Sequence, residues 1–260
     1  MTLAGCAAPE AREPANHERP TIVSLNPCTD AVLAEIAEPS QLLAISHYSH
    51  DPAASSMDAA KARRFRSTGG TVEEVLALDP DVVVAGSFLP PATRAAFEDL
   101  GVRVETFGMA ASVDESIAQV ERLGAIAGKE QAAQQLAGSI ASAAQPDQSG
   151  DRLSAVLWQP GGIVPGETTL VSDLMRRAGL TSHSAASGLG QADYLSLEAL
   201  LADPPEVLLV AGRERSQAHP SLAALSDMRT ERFDASLLYC GGPTIIRAME
   251  RLRAIRRQAA

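Results

Sequence analysis

The feature that most constrains the fold of this chain is a pattern that occurs once in each half. Thr71–Val84 reads T-V-E-E-V-L-A-L-D-P-D-V-V-V, and Leu195–Val210 reads L-S-L-E-A-L-L-A-D-P-P-E-V-L-L-V. In both, a glutamate stands seven residues before a proline, so a short helix with an early carboxylate precedes a proline stop and an apolar strand. A helix that leads into a buried strand is half of a parallel α/β unit. The repetition therefore predicts two α/β lobes of similar architecture.

Apolar runs elsewhere in the chain support the same fold class. Short β-branched or aliphatic runs alternate with helical segments in both halves, which is typical of parallel sheets. The predicted strands are Thr21–Leu25, Gln41–Ser46, Asp81–Gly86 and Val102–Phe107 in the first half, and Leu153–Trp158, Glu206–Ala211 and a short strand near Leu237–Tyr239 in the second. We predict two parallel-sheet α/β lobes with a ligand cleft between them.

A long helical segment separates the two halves. Apolar residues recur at steps of three and four from about residue 112 to about residue 144, which predicts a helix of roughly 33 residues and about 50 Å. Gly124 and Gly128 would permit a kink in it. We predict one long backbone helix between the lobes. The predicted division is 1–20 for a truncated lipoprotein signal and tether, 21–111 for the N-terminal lobe, 112–145 for the connecting helix and 146–260 for the C-terminal lobe.

Charge and motif content exclude several classes of function. The chain has 22 Lys and Arg against 32 Asp and Glu, a formal net charge of −10, so its surface repels nucleic acids. The sequence has no apolar run of the roughly 18 residues that a bilayer-spanning helix needs. It also lacks G-x-S-x-G, H-E-x-x-H, C-x-x-C and P-loop motifs. We predict a binding protein with no nucleic-acid partner and no cofactor of its own, rather than an enzyme.

The first residues resemble the end of a lipoprotein signal. Leu3–Cys6 reads L-A-G-C, the small residues and cysteine with which such a bacterial signal ends. A complete signal has a basic and an apolar region first, so either the signal is truncated or the match is by chance. Residues 7–20 hold prolines and mixed charges without periodicity, as a tether does. We expect a periplasmic protein that is anchored to a membrane through lipid on Cys6.

Four motifs carry a resemblance to a known family. They are T-I-V-S-L-N-P from Thr21, S-H-Y-S-H-D-P from Ser46, T-G-G-T-V-E-E-V-L-A-L-D-P-D-V-V from Thr68 and L-S-L-E-A-L-L-A-D-P-P-E-V from Leu195. With this combination the chain resembles the periplasmic substrate-binding proteins of ABC importers for cobalamin and iron chelates. The resemblance implies a monomer that delivers its ligand to a transmembrane permease dimer coupled to an ATPase. It also implies that Glu73 and Glu198 dock onto arginines of the two permease subunits.

Loops at the carboxyl ends of the predicted strands are the expected walls of the cleft. They are Asn26–Thr29, Ser46–Pro52, Gly86–Pro91, Gln159–Gly166 and Tyr239–Pro243. The predicted ligand contacts are Asn26, Cys28, His47, Tyr48 and His50 in the first lobe, and Trp158, Tyr239 and Cys240 in the second. For Trp158 a second interpretation is a core residue that closes its strand.

One loop combines two histidines and a tyrosine, His47, Tyr48 and His50. Histidine is a common transition-metal ligand and tyrosine can hold ferric heme, so the loop contacts a chelate, ligates a metal or is merely solvated. The resemblance implies that an aromatic at Tyr48 packs against or ligates a macrocycle. Ser67 and Ala192 stand where the cobalamin-binding relative has tryptophans, which weakens the prediction of stacking on a corrin ring.

Cys28 and Cys240 each follow a predicted strand end, one in each lobe. Three interpretations stay open: free small residues, thiols that contact the ligand or a soft metal, and a disulfide between the lobes.

The predicted ligand is a metal chelate, either cobalamin or another corrinoid, a ferric siderophore or heme. One alternative is a binding protein for free zinc or manganese, which would need roughly three or four His, Asp or Glu ligands spread over both lobes. A more remote alternative is a metal-dependent enzyme on a two-lobed fold, whose clusters would need more cysteines.

Overall fold

The N-terminal lobe is a five-stranded parallel sheet covered by helices. The computed structural model describes residues 19–148 and 150–259. The elements of this lobe are β1 (Ile22–Ser24), α1 (Pro27–Ile36), β2 (Leu42–Ser46), α2 (Ala59–Ala62), β3 (Ser67–Thr68), α3 (Val72–Leu76), β4 (Val82–Gly86), α4 (Pro91–Asp99) and β5 (Arg103–Phe107). The strand order is β3-β2-β1-β4-β5, and every neighbouring pair is parallel. Strands β1 and β4 are almost wholly buried, which explains their unbroken aliphatic sequences.

The C-terminal lobe repeats this arrangement with four strands. Its elements are β6 (Leu153–Trp158), α7 (Leu170–Arg177), β7 (Leu180–Ser182), α8 (His183–Ala186), α9 (Leu197–Ala202), β8 (Val207–Val210), α10 (Pro220–Ala223), β9 (Arg229–Arg232) and α11 (Thr244–Ala259). The strand order is β7-β6-β8-β9, again with parallel neighbours. The two predicted parallel-sheet lobes are thus confirmed. In the part of the chain that the structure describes, every helix is too short or too polar to cross a bilayer.

The segment that was predicted as one long helix, with a kink permitted at Gly124 and Gly128, is two helices, α5 (Val113–Ala127) and α6 (Glu130–Ala143). Helix α5 ends because Gly128 adopts a left-handed conformation, with φ of 60°, and its N–H bonds back to the carbonyls of the last turn. Only Lys129 then separates Gly128 from α6, so the chain reverses and the helices pack against each other. The connecting helix α5 therefore has 15 residues and is about 22 Å long, less than half the predicted length.

Helix α5 is held by both lobes. At its start, Val113 N donates to Asp173 Oδ2 on α7 of the C-terminal lobe at 3.0 Å. At its end, the Ala127 carbonyl accepts from Gln41 Nε2 of the N-terminal lobe at 2.9 Å. A continuous apolar core also runs from Ile22 in β1, past α5, to Leu157 in β6. Because the lobes share this core and this helix, they form one packed body around the cleft.

Close packing between α5 and α6 depends on Gly124. A Cβ on Gly124 would overlap the Cβ of Ala133, so we expect Gly124→Ala to lower the free energy of unfolding by about 1–3 kcal/mol. Gly138 lies on α6 with open space around its Cα, so Gly138→Ala is the matched control and should gain about 0.5–1 kcal/mol from helix propensity. Urea denaturation measures both. Equal effects of the two substitutions would contradict this packing.

Candidate ligand-binding cleft

The sheet topology places a cleft where the strand order reverses in each lobe. In the N-terminal sheet the reversal lies between β1 and β4, and in the C-terminal sheet between β6 and β8. The loops beyond the carboxyl ends of such strands diverge and leave a crevice. The two crevices face each other across a cavity of about 430 Å³, which residues of both lobes line. We call this cavity the inter-lobe cleft.

The N-terminal wall of the inter-lobe cleft combines a fixed amide with two exposed apolar side chains. Asn26 follows β1 and caps α1, because its Oδ1 accepts from Cys28 N at 2.8 Å. A Cβ at Gly86, the last residue of β4, would collide with the Asn26 amide nitrogen, so a glycine there leaves room for this side chain. Phe88 and Met109, in the loops after β4 and β5, are 84% and 83% exposed at the cleft.

The C-terminal wall is built from carboxamides, hydroxyls and one aromatic ring. Gln159 follows β6, and Thr169 caps α7 through its side chain. Gln191 also lines this wall, and its Oε1 accepts from Gly166 N at 2.8 Å. Tyr239 is 44% exposed and lines the same cavity. This wall offers hydrogen-bonding groups beside an apolar ring surface.

A disulfide between Cys28 and Cys240 joins the two walls. Cys28 lies in the first turn of α1 and Cys240 in the loop before α11, with Cα atoms 5.0 Å apart. The loop of Cys240 is also fixed to α5, because Gly242 N donates to Ser116 Oγ at 2.7 Å. Of the three interpretations of these cysteines, the structure shows the inter-lobe disulfide. Both residues also line the cleft.

The structure separates the predicted contact residues into three groups. Asn26, Cys28, Tyr239 and Cys240 line the inter-lobe cleft. Trp158 does not, because it is 1% exposed in the core and its Nε1 donates to the Leu195 carbonyl. Its prediction as a cleft wall is therefore wrong, and its second interpretation, a core residue at the end of its strand, is correct.

The third group, His47, Tyr48 and His50, lies in a short 3₁₀ helix after β2 and is not part of the cavity lining. The Tyr48 side chain is 54% exposed, with its ring 4.0 Å from that of His47. The two histidines bond to separate backbone carbonyls, one in Thr68 and the other in Phe65. Within the described ranges, no three His, Cys, Asp or Glu side chains are grouped as a metal site.

The buried Asp30 side chain is hydrogen-bonded to this 3₁₀ helix and to the residue before it. Its Oδ2 accepts from Ser46 N at 2.9 Å and from Ser49 Oγ at 2.6 Å. Burial raises the pKa of Asp30 to about 8, although bonds from Ser24, Ser49 and Ser46 act in the opposite direction. A neutral carboxyl group therefore holds the loop that presents Tyr48.

Phe88, Met109, Gln119 and Gln191 line the cleft and were not predicted as contacts. The loop of Phe88 was among the expected walls because it follows an apolar strand. Met109 lies in the loop after β5, Gln119 lies on α5, and Gln191 lies in a loop without a distinctive motif, so periodicity does not identify them as contacts.

The two repeated glutamates occupy equivalent places. Glu73 and Glu198 lie exposed in the first turns of α3 and α9, and these helices are capped by the side chains of Thr71 and Ser196. The pKa of the Glu198 carboxyl is lowered by hydrogen bonds from the backbone N–H of Glu198 and from the Ser196 hydroxyl. This carboxylate is therefore ionised at neutral pH. Each lobe thus presents an exposed glutamate of the repeated pattern at a capped helix start.

Two parallel-sheet lobes with a cleft between their carboxyl edges define a two-lobed ligand-binding protein. The chain belongs to the periplasmic binding protein family, which it matches over residues 22–236. The members of this family are substrate-binding proteins, which agrees with the prediction of a binding protein rather than an enzyme. No curated protein matches the chain.

Solved structures show the same fold at low sequence identity. The periplasmic heme-binding protein RhuT from Roseiflexus sp. RS-1 has a TM-score of 0.72 and 20% identity, over 92% of this chain and 98% of that protein. The periplasmic vitamin B12 binding protein BtuF of Vibrio cholerae has a TM-score of 0.68 and 18% identity, over 92% and 97%. A possible iron-binding protein from Staphylococcus epidermidis has a TM-score of 0.72 and 15% identity, over 92% and 99%.

The raised pKa of Asp30 predicts a pH dependence of stability. Folded Asp30 keeps its proton up to about pH 8, whereas an unfolded aspartate loses it near 3.8. The folded state therefore binds more protons between these values, and stability falls as the pH rises through that window. Asp30→Asn imitates the neutral carboxyl, so we expect it to flatten this fall. Denaturant titrations at a series of pH values measure the slope.

Asp173→Asn is the control for this experiment. Burial of Asp173 acts to raise its pKa, but bonds from Val113 N, Arg176 and Arg177 outweigh burial and hold it below the ordinary value. Its contribution to stability is therefore fully present above the unfolded pKa and is lost only as the pH falls through the folded pKa. Asp173→Asn should lower stability without changing the slope in the window of Asp30. An unchanged slope in Asp30→Asn would contradict the assignment.

Proposed function

We propose that this protein is the substrate-binding component of an ABC importer for a metal chelate, either a corrinoid such as cobalamin, a ferric siderophore or heme. The observation that carries the proposal is the inter-lobe cleft, which exposes Phe88 and Met109 on one wall and Tyr239 on the other. Large flat chelates bury both faces when they bind between two lobes. Apolar side chains on opposite walls provide that burial, at about 1–3 kcal/mol for each large side chain that is covered.

Fold similarity supports the same ligand class. RhuT binds heme and BtuF binds vitamin B12, as their names state, and both match more than nine-tenths of this chain. Heme and cobalamin are large macrocyclic chelates. A ligand of that size extends beyond the cavity, so we propose that Tyr48 and the neighbouring histidines His47 and His50 contact its outer part at the rim.

Glu73 and Glu198 are the proposed contacts with the permease. Each is exposed at the start of a capped helix, one in each lobe, so the pair matches the two-fold arrangement of a permease dimer. Charged contacts of this kind determine register and association rate more than affinity. The energy of transport would come from the ATPase that is bound to the permease.

The periplasm is the proposed compartment. Disulfides persist in oxidising compartments such as the bacterial periplasm, which agrees with the Cys28–Cys240 bond. We also propose a lipid anchor at Cys6, on the basis of the L-A-G-C sequence alone. Cys6 lies outside the residues that the structure describes.

Isothermal titration calorimetry tests the proposed ligand class. We expect the purified protein to bind at least one of cyanocobalamin, heme and a panel of ferric siderophores, with the negative heat-capacity change that accompanies apolar burial. Zn²⁺ and Mn²⁺ are titrated in parallel as the alternative ligands. Tight binding of either ion together with no response to any chelate would contradict the proposal.

The docking proposal predicts a separation of binding from transport. Glu73→Ala combined with Glu198→Ala should leave the affinity for the chelate unchanged, because neither carboxylate lines the cleft. Stimulation of the permease-bound ATPase in proteoliposomes should fall by about tenfold or more. Glu130→Ala, at an exposed position on α6, is the control for loss of a surface charge. A matching loss of chelate affinity in the double variant would refute docking as the role of the pair.

A further inference from the structure

We propose that the inter-lobe cleft selects chelates that carry no net charge and present amide groups, and that it discriminates against chelates with exposed carboxylates or catecholates. This inference rests on the proposed function, and it narrows the ligand class. Its basis is the composition and the hydrogen bonding of the cleft walls.

Every described residue that lines the inter-lobe cleft is uncharged. The polar part of the lining consists of carboxamides and hydroxyls, such as Gln159, Thr168 and Ser87. An anionic group that enters such a cavity gives up water without gaining a cationic partner, which is strongly unfavourable. Sites that bind carboxylates commonly use arginine, whose paired N–H groups match a carboxylate. The walls are therefore suited to a neutral ligand.

An arginine next to the cleft, Arg122, is already paired. Arg122 lies over the ring of Phe107, a lining residue, with its guanidinium carbon 4.5 Å from the ring centre. Its nitrogens bond to the Glu105 carboxylate and to the Thr106 carbonyl. A ligand anion would have to compete with Glu105 for this cation. The net charge of −10 on the whole chain also slows the approach of polyanionic chelates.

Three carboxamides of the lining are held in place through one atom each. Asn26 Oδ1 accepts from Cys28 N, and Gln191 Oε1 accepts from Gly166 N. Gln119 Nε2 donates to the Gly108 carbonyl at 3.0 Å. We infer that the second polar atom of each carboxamide forms a hydrogen bond with the ligand. Asn26 Nδ2 and Gln191 Nε2 would donate this bond, and Gln119 Oε1 would accept it. Amide groups on a ligand complement both kinds of atom, and the fixed side chains lose little entropy on binding.

The first test compares matched ligands by calorimetry on the full chain. Cyanocobalamin is paired with its monocarboxylic acid, in which one peripheral amide is hydrolysed, and a neutral ferric trihydroxamate on a cyclic peptide is paired with a ferric tricatecholate. Heme is titrated beside them. We expect the neutral member of at least one pair to bind about tenfold or more tightly than its anionic partner and than heme.

The outcomes separate this inference from the proposed function. Preferential binding of heme or of the tricatecholate overturns the selectivity and leaves the function as a chelate-binding protein intact. Equal affinity within both pairs also overturns the selectivity. If none of the chelates binds, the proposed function itself is contradicted.

Two isosteric variants test the carboxamides directly. Asn26→Asp and Gln191→Glu keep the oxygen that accepts the internal bond and replace only the N–H₂ group that is proposed to donate to the ligand. Each should weaken binding of the neutral chelate by about tenfold, because a donor is lost and a charge enters the cleft. Gln134→Glu adds the same charge at an exposed position on α6 and is the control. Unchanged thermal stability shows that the variants fold, and unchanged affinity in both cleft variants refutes the role of these side chains.

Discussion

The connection between the two lobes is the constraint on which the rest of this structure depends. It consists of a shared apolar core, a short helix α5 that is bonded at each end to a different lobe, and the disulfide Cys28–Cys240. The disulfide joins residues 212 positions apart, and closing so long a loop removes entropy from the unfolded chain worth about 5 kcal/mol in the chain-entropy account. Because this bond also lies in the cleft, the interaction that stabilises the fold fixes the separation of the cleft walls.

A cleft with fixed walls has consequences for how it binds. Wide hinge closure is a common response to ligand in two-lobed proteins, but here core packing and a covalent bond oppose it. Affinity must then come from groups that already stand in position before the ligand arrives. Asn26, Gln119 and Gln191 meet this requirement, since each carboxamide is held by a bond to the backbone. Phe88 and Met109, which are highly exposed, are the side chains left to adapt to the shape of the ligand.

The sequence was sufficient to predict the parts of the fold that depend on local patterns. Aliphatic runs and proline stops identify the central strands, and the repeated glutamates mark equivalent helix starts in both lobes. Strand β9 was missed, and a strand was predicted near residues 237–239 instead, because β9 has the polar sequence R-T-E-R of an edge strand. The length of the connecting helix was wrong because apolar periodicity continues across Gly128, where the backbone reverses. Pairing of Cys28 with Cys240 depends on how the lobes pack, which spacing along the chain does not reveal.

The same fixed geometry links the cleft to the proposed docking residues. Gln191 of the cleft stands seven residues before Glu198, and the segment between them is held by a bridge from Tyr194 to Ile163 and by the bond from Trp158 to the Leu195 carbonyl. In the other lobe, Glu73 lies five residues after Thr68 of β3, and the Thr68 carbonyl is hydrogen-bonded to the His47 ring. Glu198 therefore keeps a set position relative to its cleft wall, and Glu73 keeps one relative to the loop that presents Tyr48. The disulfide and the shared core hold the two lobes together, so a permease dimer that contacts both glutamates, as proposed, would meet them at a set distance.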